Sequence, residues 1–223
     1  MDVRGPIQGA ALPIAAAMLD GTKLVGAVIA RRNCGENSSV DYESITDISQ
    51  HVRDCWLILD VPEGLHRIVA FYTTHNGNGK RDYFNILDHD SVKLLLDRVY
   101  EPHYQRYGAE LGKMFEAFFS DEPEFGNMPG YEFTARLGED MRFIPWSDGL
   151  KHRLKRRRGE DFIRNLTALW LNCGNATPHI RYAYMDETTK QLAQAFFMQV
   201  GDWCQNHGVK YVGHIIEDDN AHG

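Results

Sequence analysis

The chain has 223 residues, 43% of them apolar and 25% charged, with a formal net charge of −7. That balance is typical of a globular chain long enough for one large domain or two small ones, and it excludes a wholly disordered polypeptide. The acidic total opposes nonspecific binding to nucleic acid or to an anionic membrane surface, and no run of about 18 apolar residues is present to cross a bilayer as a helix.

In chain order, residues 10–19 are apolar in the manner of a signal-peptide core. Only Arg4 precedes them, offset by Asp2, and Asp20 follows at once, so a cytoplasmic address is expected. Residues 24–30 are a predicted strand. Residues 55–60 and 67–73 are two more, joined as a hairpin through Val61-Pro62-Glu63-Gly64, because Pro and Gly supply the restricted and the permissive turn positions. His75-Asn76-Gly77-Asn78-Gly79 closes this β-rich part as a loop. From Tyr83 the rhythm changes: a strand at 84–87, a helix from Ser91 to Tyr107 ended by Gly108, and a strand at Phe115. Such alternation implies a parallel sheet. A long loop rich in Gly, Pro and aromatics spans 122–145, and loops of that length are usually functional. Helices are expected over 148–158, 161–171 and 179–206, the last closed by Gly208 at C′, before a final strand from Val209. The expected organisation is a β-rich lobe or insertion over 1–80 and a strand–helix part over 81–223. Cys34, Cys55, Cys173 and Cys204 lack any paired spacing, which suits reduced, buried thiols better than disulfides or a zinc site.

The chemistry gathers at two strand ends. The run Phe115-Glu116-Ala117-Phe118-Phe119-Ser120 stops on Asp121 and Glu122, and Pro123, lacking an N–H, ends the ladder. The run from Val209 to Ile216 ends on Glu217-Asp218-Asp219 in the same way. Carboxylates on neighbouring strand tips are what glycosidic bond cleavage requires, one as general acid and one as base or nucleophile. Glu122 is the candidate acid, because an apolar strand rim and the like charges of Asp121 and Glu124 push a carboxyl pKa upward. The bland reading is that Asp-Glu-Pro begins a solvated loop or caps a helix. Glu217 is the partner. His214, Glu217 and His222, with Asp218 and Asp219, also offer ligands for a cation such as calcium, although the spacing is not that of a zinc protease.

Aromatics follow the first tip (Phe125, Tyr131, Phe133, Trp146) and lie between the two (Trp170, Tyr182, Tyr184), where sugar C–H faces would stack; Tyr182 and Trp203 read as core instead. The run Lys151-His152-Arg153-Leu154-Lys155-Arg156-Arg157-Arg158 reads as a solvated helix face rather than a nucleic-acid surface. The sequon Asn165-Leu166-Thr167 carries little weight.

Taken in order, Phe118-Phe119-Ser120-Asp121-Glu122-Pro123, Ile144-Pro145-Trp146-Ser147, Arg181-Tyr182-Ala183-Tyr184, Trp203-Cys204-Gln205-Asn206-His207-Gly208 and Gly213-His214-x-x-Glu217 resemble glycoside hydrolases of the α-L-rhamnosidase-like group. The resemblance covers most of 24–223. It implies an α/β fold, a partial (β/α)8 TIM-type barrel with an N-terminal β-rich insertion, truncated at both ends. It implies action on an oligo- or polysaccharide substrate without an organic cofactor, calcium being the one ion it allows. It places Glu122 in the Asp-Glu-Pro acid motif and Glu217 in the Gly-His-x-x-Glu motif, with Asp121, Tyr131, Trp146, Arg181, Tyr184 and His214 as expected substrate contacts. It further implies that the isolated chain is poorly active and associates along open sheet edges. Two other classes compete: a noncatalytic carbohydrate-binding barrel remnant, and a metal-dependent hydrolase centred on His214, Glu217 and His222.

Overall fold

The structure, a computed structural model, describes residues 1–14, 21–33, 39–75, 82–127, 137 and 143–215. The chain forms two compact units: Met1–Asn78 with Ala135–Ile144 and Leu154–Met185, and Gly79–Thr134 with Pro145–Arg153 and Asp186–Gly223.

The first unit is built on an antiparallel sheet. Strands β1 (Asp2–Pro13), β2 (Lys23–Arg31), β3 (Thr46–Asp47), β4 (Val52–Arg53) and β5 (Trp56–Thr73) run in the order β1-β5-β2-β3, with β4 also on β5. Gly26 to Ala30 of β2 are all buried, because both faces of this strand are covered. Ala27 and Ile29 pack with Leu57, Leu59, Val61 and Ile68. On the opposite face Gly26 takes Ile163 of α4 (Phe162–Leu166) so closely that a Cβ would lie 2.7 Å from Ile163 Cδ1.

The expected hairpin at Val61–Gly64 is not formed, because β5 runs straight through it as one 18-residue strand. Gly5 pairs with Gly64 and Ile7 with Val61, so the stretch is a bulge in which β5 carries one residue more than β1. Pro62 has no N–H to lose there and Gly64 takes φ +106°, so the same two residues that signal a turn bend a strand instead. Gly5 cannot be replaced, since a Cβ would sit 1.9 Å from Pro62 O. Near this bulge Arg67 grips Asp2 with two hydrogen bonds, at 2.5 and 2.9 Å, and Arg32 adds a third at 2.7 Å. Asn165 of the sequon is buried and accepts from Tyr42 Oη at 2.7 Å, which leaves no room for a glycan.

In the second unit α1 (His89–Leu95), a π-helical stretch (Leu96–Tyr100) and α2 (Glu101–Tyr107) make one continuous helix. Asp88 caps it, accepting from Ser91 N at 2.9 Å. Pro102 lacks the N–H for a bond to the preceding turn, and the π-helical widening before it accommodates the ring. The strands β6 (Ala117–Asp121) and β7 (Lys210–His214) pair in parallel, in register from Ala117↔Lys210 to Asp121↔His214. Phe118 and Tyr211 point into a core of Ile86, Val92, Leu96, Tyr100, Phe196, Val200 and Cys204, whereas Phe119 and Val212 are exposed. The helix α3 (Asp148–Arg158) follows Ser147, whose Oγ accepts from Leu150 N at 3.1 Å. The helix α5 (Ala176–Leu192), which belongs to the first unit as far as Met185 and to the second from Asp186, continues through a π-helical turn (Ala193–Met198) into α6 (Gln199–Asn206), and Gly208 at φ +71° ends it as expected.

These elements make a mixed α/β fold and not the expected partial (β/α)8 barrel. Among the strands of the described residues only β6 and β7 pair in parallel, two isolated parallel bridges (Ser39↔Asn172 and Leu111↔Phe115) aside, and the other five strands are antiparallel. Residues 84–87 form no strand, because Asn85 Oδ1 takes the N–H of Leu87 at 3.0 Å and its carbonyl takes that of Asp88, which turns the backbone away from a ladder.

Candidate functional site

The candidate site lies at the carboxyl ends of β6 and β7. The two strands approach closely because position 213 is glycine; a Cβ there would lie 2.0 Å from Ser120 O. Beneath the last rung Ser120 Oγ and Tyr211 Oη share a 2.6 Å hydrogen bond. Burial raises the phenol pKa of Tyr211, and burial pushes that of Tyr100 up to about 12, so both stay neutral as packing groups. Tyr100 stacks on Phe118 at 4.5 Å, and Trp203 meets both edge-on while its Nε1 donates to Glu101 Oε1 at 2.9 Å.

The last rung sets Asp121 beside His214, with Oδ1 and Nδ1 3.3 Å apart and both side chains largely exposed. The Phe119 ring lies edge-on to His214 at 5.3 Å. One residue further, Glu122 N donates to His214 O at 3.1 Å, and Glu122 adopts φ +42°. A left-handed conformation is rare for a residue with a Cβ, and the ring of Pro123 restricts its predecessor further toward extended backbone. Such a residue carries about 1–3 kcal/mol of strain and persists only where its surroundings hold it. Its Oε1 is shielded from solvent.

The loop that Glu122 opens is tied at both ends to residues 83–87. Glu124 N donates to Tyr83 Oη at 3.0 Å, and Gly126, at φ +68°, lies against the Tyr83 ring. At the returning end Asn85 Nδ2 donates to Trp146 O at 2.8 Å. Sequence reasoning missed Tyr83 and Asn85. The available signal was an aromatic–Asn segment, without strand alternation, directly before the N-cap Asp88.

Of the expected site residues, Asp121, Glu122 and His214 are brought together, and Trp146 stands half-buried at the loop's return. Arg181 and Tyr184 belong to the first unit. There Arg181 Nε donates to Ala168 O at 3.0 Å, and Tyr184 is 1% exposed, lining a small apolar cavity with Leu154, Phe162 and Leu169. Tyr131, Glu217, Asp218, Asp219 and His222 lie outside the described residues, as does Cys34. Trp203 packs against the core as expected, but Tyr182 is 69% exposed. In the basic run Arg153 is not solvated: it donates to Gln191 Oε1 at 2.9 Å and to Gln194, and pairs with Glu187 at 3.5 Å, both of the ion pair's side chains nearly covered. Cys55, Cys173 and Cys204 are free thiols, and burial pushes Cys173 and Cys204 up to about 11. Among the described residues no three His, Cys, Asp or Glu side chains are grouped to hold a metal, and no helix is long and apolar enough to cross a membrane.

No family model and no curated protein matches the sequence. Among solved structures, the fold matches part of a rhamnosidase from Novosphingobium sp. PP1Y with a TM-score of 0.55. It is similar to a piece of a rhamnosidase. The match covers 78% of this chain at 19% identity and 17% of that chain, so what is shared is the fold of a small portion of the larger protein.

Proposed function

We propose that the chain supplies part of the active site of a glycoside hydrolase acting on rhamnosides, with Glu122 as the general acid. The observation that carries this reading is the strained Glu122, held left-handed at the tip of a parallel strand beside the Asp121–His214 pair, in a fold similar to a portion of a rhamnosidase. Glu122 gives its proton to the leaving oxygen as the glycosidic bond breaks, while Glu217 activates water or attacks the anomeric carbon. The exposed Asp121 and His214 hydrogen-bond sugar hydroxyls, and Tyr131 and Trp146 stack on the C–H face of the ring.

The test uses the protein that carries this chain and a rhamnosyl disaccharide. Glu122→Gln keeps the shape and removes the proton, so kcat/KM falls by roughly 10²–10⁴-fold, the range for a lost general acid. Glu124→Gln, two residues on and outside the proposed chemistry, leaves it within a few-fold. Equal losses in the two variants, or none in Glu122→Gln, would overturn the reading.

A further inference from the structure

We infer that Tyr83 and Asn85 are positioning residues for the candidate acid, forming a clip that holds Glu122 in its left-handed conformation and sets the return of its loop. The inference rests on the reading of Glu122 as the acid. A strained residue before proline relaxes to extended backbone unless both of its flanks are fixed. The preceding flank is fixed by the β6–β7 ladder, whose last bond is Glu122 N to His214 O. The following flank is fixed by the Tyr83 hydroxyl, which takes the N–H of Glu124, and by the Tyr83 ring, on which Gly126 packs so tightly that a Cβ there would lie 3.1 Å from Tyr83 Cδ1.

The clip can hold because it is itself anchored. Ile86 and Leu87 are each 1% exposed, and Gln191 Nε2 donates to Leu87 O at 2.9 Å. Phe84 packs between Tyr83, at 5.4 Å, and Phe196, at 6.2 Å. Phe125, read from sequence as a sugar-stacking aromatic, packs against the same core and adds a third tie to the loop. Asn85 uses its two amide atoms separately: Oδ1 shapes the clip by accepting from Leu87 N, and Nδ2 reaches out to Trp146 O. One rigid segment thus fixes the acid's backbone and the backbone of the candidate stacking residue.

Tyr83→Phe removes only the hydroxyl and keeps the ring. Loss of acid alignment lowers kcat/KM on a rhamnosyl disaccharide by roughly tenfold, but by less than about twofold on 2,4-dinitrophenyl rhamnoside, whose leaving group needs no proton. Asn85→Asp keeps the Leu87 bond, loses the donor to Trp146, and raises KM for both substrates with kcat held. A parallel loss on both substrates in Tyr83→Phe, which a merely structural role would produce, overturns the inference, as does no loss on either; an unchanged KM in Asn85→Asp overturns that residue's part. Glu122→Gln is measured alongside. If it separates the two substrates and Tyr83→Phe does not, the clip alone is wrong; if it fails to separate them, the acid reading falls and the clip with it.

Discussion

At the scale of single residues, charge and position carried more information than conformation did. Glu122 and Asp121 were legible as a strand-end carboxylate pair, but nothing in Ser120-Asp121-Glu122-Pro123 announces a left-handed glutamate, because that conformation is imposed from His214 and Tyr83, distant in sequence. Asp2 shows the same limit: it reads as an ordinary terminal charge, yet Arg67 and Arg32 converge on it. The hydrogen bond from Arg67, aided by the nearby positive charges, holds the Asp2 carboxyl below its ordinary value of 3.8. A depressed folded pKa stabilises the fold above the unfolded value, and this contribution fades as pH falls through the folded one. Asp2→Asn therefore lowers the melting temperature near pH 7, and its deficit against the parent narrows as pH falls below 3.8. The carboxylate is a third exposed, so screening limits the effect at neutral pH to under about 1 kcal/mol. Thermal unfolding of the two proteins across pH checks this; a gap that widened on acidification would contradict it.

At the scale of elements, helices were easier to read than strands. The ends of α3 and the close of α6 at Gly208 follow from local signals: a cap at Ser147 and a glycine at C′. The hairpin at Val61–Gly64 misled because Pro and Gly mark a bulge as readily as a turn, and only β1, more than fifty residues earlier, decides between them. The parallel pairing of β6 and β7 depends on Gly213, which gives a direct test. Gly213→Ala drives a Cβ to within 2.0 Å of Ser120 O and should destabilise the second unit by about 2 kcal/mol or more. Gly201→Ala, in the interior of α6 where a Cβ meets nothing within 4 Å, should stabilise by up to about 1 kcal/mol. Urea unfolding of the two variants separates these outcomes, and comparable stabilities would show that the close approach does not matter.

At the scale of the whole molecule, the alternation of strand and helix after Tyr83 was real as a rhythm but not as a barrel. Alternation predicts parallel pairing only if each apolar run is a strand, and residues 84–87 spend their apolar side chains on the core while Asn85 turns the backbone. Each unit keeps its own hydrophobic core, one beneath the antiparallel sheet and one between the continuous helices and the β6–β7 pair. The exposed pair Phe119 and Val212 stands on the outer face of that two-stranded sheet. The functional account narrows to one proton, the one that Glu122 is proposed to deliver. The most direct measurement is the dependence of kcat/KM on leaving-group pKa across a series of aryl rhamnosides, for the parent and for Glu122→Gln. A general acid neutralises the departing oxygen, so the parent should show a shallow slope and Glu122→Gln a steep one, the two converging at the best leaving groups. Parallel slopes would contradict the assignment of Glu122 as the acid.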